Sequence, residues 1–283
     1  MNKVREVARS AVNFIADNGI QVAETLLFLI LIILILSAKI FSWSTLFLYW
    51  LIEKFGIDTL SPLLDSGVGG IIFLIILIVA LDWFVREKIN KDKVMNWGNR
   101  YHDYPYWWYL YCAKVLGFKQ CSLIRVPIYM QFKLIVNDVF DNYPFDENLF
   151  REMEDESEIK IDTRDITGAG VINLILEDTY PIKLEQIPVE KRALPLIRIS
   201  RNDAEHLERH YSRKFVEAVA NQMRHLDAGV SIDVYATTNP KNTKYIVEEA
   251  FKMGGRGNIS HLYVYQQSSE NGRIFEPKGH KIY

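Results

Sequence analysis

Two uncharged stretches, 25-TLLFLILIILILSA-38 and 66-SGVGGIIFLIILIVAL-81, decide the fold of this 283-residue chain. A helix needs ~20 consecutive apolar residues to cross the hydrocarbon core of a bilayer. The two stretches reach that length as residues 22–41 and 66–85. A cleaved signal peptide would have a shorter apolar core and no second span. The sequence therefore predicts two retained transmembrane helices, and membrane lipid is an expected partner.

The basic residues around the predicted spans indicate their orientation. Lys3, Arg5 and Arg9 precede the first span, and residues 86–100, after the second span, contain five lysines and arginines. The segment between the spans has Lys54 against three acidic residues. Cytoplasmic flanks of membrane spans carry the excess of Lys and Arg. We therefore predict a multi-pass protein with both termini in the cytoplasm.

The chain between the two spans is too apolar for an ordinary exterior loop, since residues 46–52 contain no charge. For residues 44–65 two alternatives stay open: a short helix in the membrane interface, or a re-entrant helix that dips into the bilayer. The glycines that follow stand where two-span ion channels place their filter, or they allow close helix packing. The predicted pore residues are Trp50, Gly67, Gly69 and Gly70.

A pore would require several subunits, because two helices from one subunit cannot enclose water. Several identical copies would have to surround the conduit. Its apolar walls would then form a hydrophobic constriction that gates by dewetting. The pore hypothesis therefore predicts a homo-oligomer.

Beyond the spans, strand and helix patterns alternate. The predicted strands are residues 171–176, 196–199, 230–236 and 262–265. One helix is predicted from about Ala204 to Gly229, with Asn202 or Asp203 as its cap, and another after Asn239 and Pro240. This alternation indicates an α/β domain with a partly parallel sheet.

The chain is accordingly divided into a membrane or pore domain (1–88), a juxtamembrane connector (89–160) and a cytosolic α/β sensor domain (161–283). In the connector, residues 129–135 look extended. Residues 101–111 contain seven Tyr or Trp. This density is typical of a packed junction or a membrane interface, and the alternative is stacking on nucleobases. The acidic residues of 146–162 indicate a solvated linker or an exposed face.

Ligands of parallel sheets bind off the carboxyl ends of the strands. The most informative end is 237-TTNPKNT-243, where the amides of a helix start and several polar side chains would attract an anion. Its alternative is an ordinary capped turn. Nearby arginines add positive potential, so a phosphate-bearing ligand is expected. The predicted ligand-binding residues are Arg201, Arg209, Arg213, Thr237, Thr238, Asn239, Lys241 and Asn242.

The sequence contains no hydrolase, phosphate-loop, zinc or calcium motif. Glu177 and Asp178 could serve as a base or hold a metal, but carboxylates at a strand end usually cap backbone or face water. Cys112 and Cys121 fit no zinc spacing and are expected to be free thiols in a reducing compartment. We predict no catalytic residue, no metal, no cofactor and no enzymatic activity.

Two spans attached to a cytosolic α/β domain without catalytic motifs resemble the bacterial anti-phage membrane effectors that have a nucleotide- or oligonucleotide-sensing domain. The architecture is most similar to the ion-channel-like effector of the Hailong system, over the whole length and without a diagnostic motif. The resemblance implies a homo-oligomeric pore, with a tetramer favoured, in the bacterial inner (plasma) membrane. It also implies gating by a nucleotide or a single-stranded DNA oligomer from a partner nucleotidyltransferase, with membrane depolarisation as the output.

Two other functions remain open from the residues alone. The chain could be a membrane-anchored enzyme acting on a nucleotide or sugar-phosphate, with Glu177 and Asp178 as its acids. It could also be a membrane scaffold whose cytosolic domain only docks protein partners.

Overall fold

The computed structural model describes residues 12, 14–15, 18–35, 38–56, 68–96, 100–145, 158–202, 210–253, 257–268 and 272–283. The chain divides into two compact units, which are described separately. Unit one comprises residues 1–93 and 110–119, and unit two comprises residues 94–109 and 120–283.

Unit one contains the helices α1 (Gly19–Ile35), α2 (Ala38–Phe55) and α3 (Val68–Phe84), and α3 continues as a π-helical turn, Val85–Asn90. The first predicted span falls on α1 and the start of α2, and the second falls on α3. The apolar segment between them is part of α2, which agrees with both alternatives for that segment. Large apolar side chains are exposed on α1 and α3, among them Leu26, Ile33, Ile75 and Val79. Within the described residues, no helix combines the length and the apolarity that crossing a bilayer requires.

A polar network joins three separate parts of unit one around Glu24. Its Oε1 accepts a hydrogen bond from Lys93 Nζ at 2.7 Å, and its Oε2 accepts from Asn90 Nδ2 at 2.9 Å. Asn90 is fully buried and also donates to Leu116 O at 2.7 Å. The network therefore ties α1 to the residues that follow α3 and to the segment 110–119.

The segment 110–119 lies close to the π-helical turn at Gly117. Arg86 Nη1 donates to Lys114 O at 2.6 Å. Gly117 has a φ of +77°, and a Cβ placed on it would lie 2.8 Å from Arg86 Cα. Both the left-handed backbone and the close approach require glycine at this position.

Unit two begins with short elements. A two-stranded parallel sheet is formed by β1 (Val94–Met95) and β2 (Gln120–Cys121). Helix α4 (Tyr106–Lys114) lies between these strands in the chain, with residues 106–109 in unit two and residues 110–114 in unit one, and α5 (Ile128–Val136) follows β2.

The main sheet of unit two has six strands in the order β3-β5-β4-β6-β7-β8. The strands are β3 (Glu158–Arg164), β4 (Val171–Glu177), β5 (Leu196–Asn202), β6 (Val230–Ala236), β7 (Ile259–Tyr265) and β8 (His280–Lys281). β4 pairs in parallel with β5 and β6, and β6 pairs in parallel with β7. β3 and β8 are antiparallel outer strands. The predicted α/β domain with a partly parallel sheet is confirmed.

Two helices connect the parallel strands: α6 (Arg213–Arg224) and α7 (Pro240–Ile246), which continues as a π-helical turn, Val247–Met253. This turn packs on α5 through Phe251 and Phe132, whose ring centroids are 5.7 Å apart. Another core cluster joins residues of four strands to Phe275 and to the segment before β5. It contains Ile175, Ile182, Ile187, Leu196, Tyr235, Tyr265 and Phe275. Six consecutive residues of β4 are buried, as expected for a strand covered on both faces.

Two local predictions were wrong. Residues 129–135 are helical rather than extended, because burial around most of α5 removes the polar face by which a helix is recognised in sequence. The helix predicted from about Ala204 begins at Arg213, because Ser212 Oγ accepts a hydrogen bond from Phe215 N at 3.2 Å and caps it. Ala204 itself lies outside the described residues.

We expect Gly117→Ala to destabilise the full-length protein in detergent more than Gly56→Ala. Both glycines have positive φ values, +77° and +65°, but nothing lies within 4 Å of a Cβ on Gly56. Gly56→Ala therefore measures backbone strain alone, ~1 kcal/mol or somewhat more. Thermal unfolding followed by tryptophan fluorescence should show the larger fall in Tm for Gly117→Ala. Equal shifts would contradict the close approach to Arg86.

Candidate functional site

The winding of the parallel sheet reverses between β4 and β6. From β4 the chain passes to β5 on one side, and the connection through α6 then brings it to β6 on the other side. Connections that leave two neighbouring strands in opposite directions open a crevice at the strands' carboxyl ends. In this chain those ends lead into residues 177–180 and 237–239.

A cleft of about 890 Å³ lies at this switch point, within unit two. This volume is typical of small-molecule sites. We call it the switch-point cleft. Its lining residues are Tyr101, Asp103, Val126, Pro127, Ile128, Gln131, Thr179, Tyr180, Ala236, Thr237, Thr238, Asn239, Pro240, Gln266, Gln267, Ser268, Arg273 and Glu276.

Threonine hydroxyls connect the ends of β4 and β6 in the cleft. Thr179 Oγ1 donates to Thr237 O at 2.6 Å, and Thr237 Oγ1 donates to Tyr180 O at 2.8 Å. Thr238 Oγ1 lies 2.7 Å from Thr243 Oγ1. A hydroxyl that donates its hydrogen within the protein keeps its oxygen as an acceptor. These groups therefore offer positioned acceptors to a ligand.

An aromatic ring, an amide and a cation form a second group in the lining. Tyr180 Oη donates to Gln267 Oε1 at 2.6 Å, and Gln267 Nε2 donates to Arg273 O at 2.7 Å. The Arg273 guanidinium lies 4.3 Å from the centroid of the Tyr180 ring. This contact is a cation–π interaction that holds a positive charge beside a ring face.

A buried carboxylate network supports the lining at Asn239. Asp178 Oδ2 accepts from Asn239 N at 2.8 Å, and from Asn239 Nδ2 and Asn242 Nδ2 at 2.9 Å each. Arg201 Nε lies 3.0 Å from Asp178 Oδ1, and their side chains are 2% and 0% exposed. Burial raises the pKa of the Asp178 carboxyl, and the Arg201 guanidinium opposes that rise.

The helix start after β6 is capped by contacts within the protein. Asn239 Oδ1 accepts from Asn242 N at 2.9 Å, and Pro240 has no N–H to offer. Asn242 Oδ1 accepts from Ser212 N at 3.0 Å, so this residue also holds the start of α6. The geometry is that of a capped turn, one of the two alternatives that the sequence left open.

The predicted ligand-binding residues are only partly brought together. Thr237, Thr238 and Asn239 line the switch-point cleft, whereas Arg201 and Asn242 belong to the Asp178 network. Lys241 Nζ lies 5.3 Å from the Tyr211 ring centroid, and Arg213 Nε pairs with Glu217 Oε1 at 2.7 Å on the surface of α6. Arg209 lies outside the described residues.

The predicted pore residues belong to unit one. Trp50 on α2 is half exposed, its ring centroid is 5.7 Å from that of Phe47, and Lys54 Nζ lies 4.7 Å from its ring. Gly69 and Gly70 lie in the first turn of α3. Gly67 lies outside the described residues.

The two acids proposed for a catalytic role both have structural contacts. Glu177 Oε1 accepts from Ile182 N at 2.8 Å and from Arg198 Nη1 at 2.6 Å, and Oε2 accepts from Ser200 Oγ at 2.5 Å. Asp178 is the centre of the network described above. Neither acid is among the described residues that line the switch-point cleft.

Sequence reasoning did not single out Gln131, Tyr180, Arg273 or Glu276. Tyr180 lies four residues beyond the end of the predicted strand 171–176, so including those four residues would have found it. Gln131 was not identified because residues 129–135, which form part of helix α5, were predicted to be extended. Arg273 and Glu276 lie beyond β7, and no sequence pattern marks them.

The structure also shows the two cysteines and the described side chains that could ligate a metal. Cys112 and Cys121 are buried free thiols, and burial raises the pKa of Cys112 to about 12. Among the described residues, no three or more His, Cys, Asp and Glu side chains are grouped so that they could hold a metal ion.

We expect Asn242→Ala to destabilise the full-length protein in detergent by about 2–3 kcal/mol. The change leaves the buried Asp178 carboxylate short of a donor and Ser212 N short of an acceptor. Thermal or denaturant unfolding measures the effect. Arg224→Ala, which removes an exposed side chain from the end of α6, is the control and should leave the Tm unchanged. An unchanged Tm for Asn242→Ala would contradict the network.

The chain was compared with curated proteins and with solved structures. No curated protein matches it. Among solved structures, the Acinetobacter baumannii Cap4 SAVED/CARF-domain containing receptor with the cyclic trinucleotide 3'3'3'-cAAA is 8% identical, with a TM-score of 0.43, over 80% of this chain and 60% of the receptor chain. The same receptor with 2'3'3'-cAAA is 8% identical, with a TM-score of 0.39, over 61% of this chain and 40% of that one. The chain thus spans less than two thirds of either receptor chain.

The family model for the SMODS- and Ubiquitin system-associated 2TM effector domain matches residues 7–283, which is nearly the whole sequence. The resemblance to a two-transmembrane anti-phage effector is thereby confirmed. The protein belongs to the SUa-2TM effector family.

Proposed function

We propose that this effector forms a homo-oligomeric pore in the bacterial inner membrane, and that a nucleotide or oligonucleotide bound in the switch-point cleft controls conduction. The observation that carries the proposal is the cleft, with a volume of about 890 Å³ at the winding reversal of a parallel sheet. Ligands of open α/β sheets bind at this position. The cleft belongs to the same chain as the apolar helices α1 and α3, so one polypeptide contains both a receptor and a membrane element.

The lining suits a nucleotide in three respects. Tyr101 and Tyr180 offer ring faces on which a base can stack, and Tyr101 is 56% exposed. The threonine hydroxyls and glutamine amides match ribose hydroxyls and base edges. Arg273 supplies a guanidinium, which pairs well with phosphate oxygens.

The acids at the end of β4 favour ligand binding over turnover. A general base or a metal ligand needs a carboxylate oxygen that can reach the substrate. The Glu177 and Asp178 oxygens are instead used for contacts with backbone amides, arginines, asparagines and a serine. We therefore propose that the protein is not an enzyme and that it senses its ligand without transforming it.

The membrane part of the proposal rests on the exposed apolar residues of α1 and α3, which need lipid or another copy of the chain as a neighbour. Several copies, with a tetramer favoured, would enclose a conduit whose apolar walls gate by dewetting. The charges that flank these helices favour two spans with both termini in the cytoplasm. In anti-phage defence, a partner nucleotidyltransferase would supply the ligand, and the output would be membrane depolarisation.

We expect ligand-dependent ion flux from the full-length protein reconstituted in liposomes. The probes are nucleoside mono- and triphosphates, linear and cyclic trinucleotides, and single-stranded DNA oligomers, added on the side that carries unit two. At least one probe should change the rate at which an imposed potassium gradient decays. Absence of flux with and without every probe would contradict the pore.

Tyr180→Leu should weaken binding of the active probe about tenfold or more, because stacking of one base on an aromatic ring contributes ~1–3 kcal/mol. Isothermal titration calorimetry on the full-length protein in detergent measures the change. The matched control is Tyr245→Leu, which removes a half-buried tyrosine outside the described cleft lining. Equal affinities of the Tyr180→Leu variant and the unmodified protein would place the ligand elsewhere.

A further inference from the structure

A buried acceptor borders the switch-point cleft at Gln131. This residue lines the cleft and is only 5% exposed. Its Nε2 donates to Val126 O at 2.8 Å. Because a backbone carbonyl oxygen can only accept, this contact fixes which end of the amide is nitrogen. The other end, Oε1, has no hydrogen-bond partner among the described residues.

A buried acceptor without a hydrogen-bond partner lowers the stability of the folded protein until a donor binds to it. Native proteins pair nearly all such atoms, and an exception at the edge of a cleft indicates a ligand that supplies the missing hydrogen. Gln131 therefore points to a ligand with an N–H or O–H group directed at the lining near α5.

Two carboxylates in the same lining also favour a ligand that donates hydrogen bonds. Asp103 Oδ1 accepts from Tyr129 Oη at 3.4 Å, and Glu276 Oε2 lies 3.1 Å from His280 Nε2. Each contact uses one oxygen of a group that has two. Burial, with the charges of Asp103 and Glu276, raises the pKa of the Tyr101 hydroxyl, so both carboxylates act on the same aromatic ring.

The charges of the lining also restrict where phosphate can lie. The charged lining residues are Asp103, Glu276 and Arg273. Phosphate oxygens beside the two carboxylates would be repelled, whereas the Arg273 guanidinium attracts them. The part of a nucleotide that faces Gln131, Asp103 and Glu276 is therefore its base or its sugar rather than its phosphate.

We propose that the switch-point cleft selects a nucleobase with an exocyclic amino group, which donates one hydrogen to Gln131 Oε1 and the other to the Glu276 carboxylate, while the Asp103 carboxylate adds negative charge to the same lining. This inference rests on the proposed function and narrows its ligand class. Adenine, cytosine and guanine carry such a group. Thymine and uracil lack it and would turn carbonyl oxygens toward an acceptor-rich lining.

The test compares matched ligands on the full-length protein in detergent by calorimetry. The probes are single-stranded DNA trimers of deoxyadenosine, deoxyguanosine and deoxycytidine. Each is paired with the trimer that has hydrogen in place of the amino group: purine deoxyriboside, deoxyinosine and 2-pyrimidinone deoxyriboside. At least one amino-bearing trimer should bind tenfold or more tightly than its partner, since a site that pairs a polar group rejects an analogue lacking it.

Two variants connect this preference to the named residues. Gln131→Met keeps the side-chain length and removes both polar atoms, and Glu276→Gln replaces a carboxylate on a partly exposed residue with little risk to folding. Each should reduce the preference for the amino-bearing trimer at least threefold. Arg224→Ala, on the exposed end of α6, should retain it.

The outcomes separate this inference from the proposed function. Equal affinity for both members of every pair, or a full preference in both variants, would overturn the inference while leaving nucleotide gating intact. Binding of spermidine without binding of any trimer would show a cation site and overturn the inference and the nucleotide ligand together. A preference that falls in Gln131→Met and Glu276→Gln and persists in Arg224→Ala supports the assignment.

Discussion

The arrangement of the candidate site depends on one buried carboxylate. Asp178 stands at the end of β4 and accepts hydrogen bonds from the cap of α7, while Arg201, at the end of β5, neutralises its charge. Through Asn242 the same group is connected to Ser212, where α6 begins. A charge in a protein interior is stable only when it is paired and hydrogen-bonded. Two strands and two helix starts are therefore held in one mutual geometry, and the switch-point cleft opens where they meet.

The strands and the helix start around Asp178 were predicted from the sequence, whereas the role of Asp178 itself was not. The strands β4 and β6 were predicted within one residue of their ends, because consecutive apolar residues and period-two alternation are strong signals. Asn239 followed by Pro240 predicted the start of α7. Asp178, however, was expected to cap backbone, to face water or to serve as a catalytic acid, and only the first of these agrees with its contact to Asn239 N. Its burial is decided by Asn239, Asn242 and Arg201, which are distant in the chain, and no local pattern reports such contacts.

At α6, β3 and Glu24 the structure also differs from what the sequence predicted, because local sequence patterns do not report the contacts made there. Several residues between β5 and α6 can cap a helix, and only the structure shows that Ser212 does so. The outer strand β3 was read as part of an acidic solvated face, since exposure on both sides leaves little apolar alternation to recognise. In unit one, Glu24 lies near the start of the first apolar stretch, but hydropathy does not indicate its contacts. Hydropathy could not identify Lys93 and Asn90 as the partners of Glu24, because they follow a different helix.

The two border strands, β3 and β8, limit how the sheet can pair with the sheet of another molecule. Strand β3 carries Glu158, Lys160, Asp162 and Arg164 at alternate positions, and β8 on the opposite border is two residues long. Charged side chains on a border strand and a very short border strand both discourage pairing with strands of another molecule. Within the described sheet, neither border therefore offers a long uncharged strand along which the sheet of another molecule could pair edge to edge.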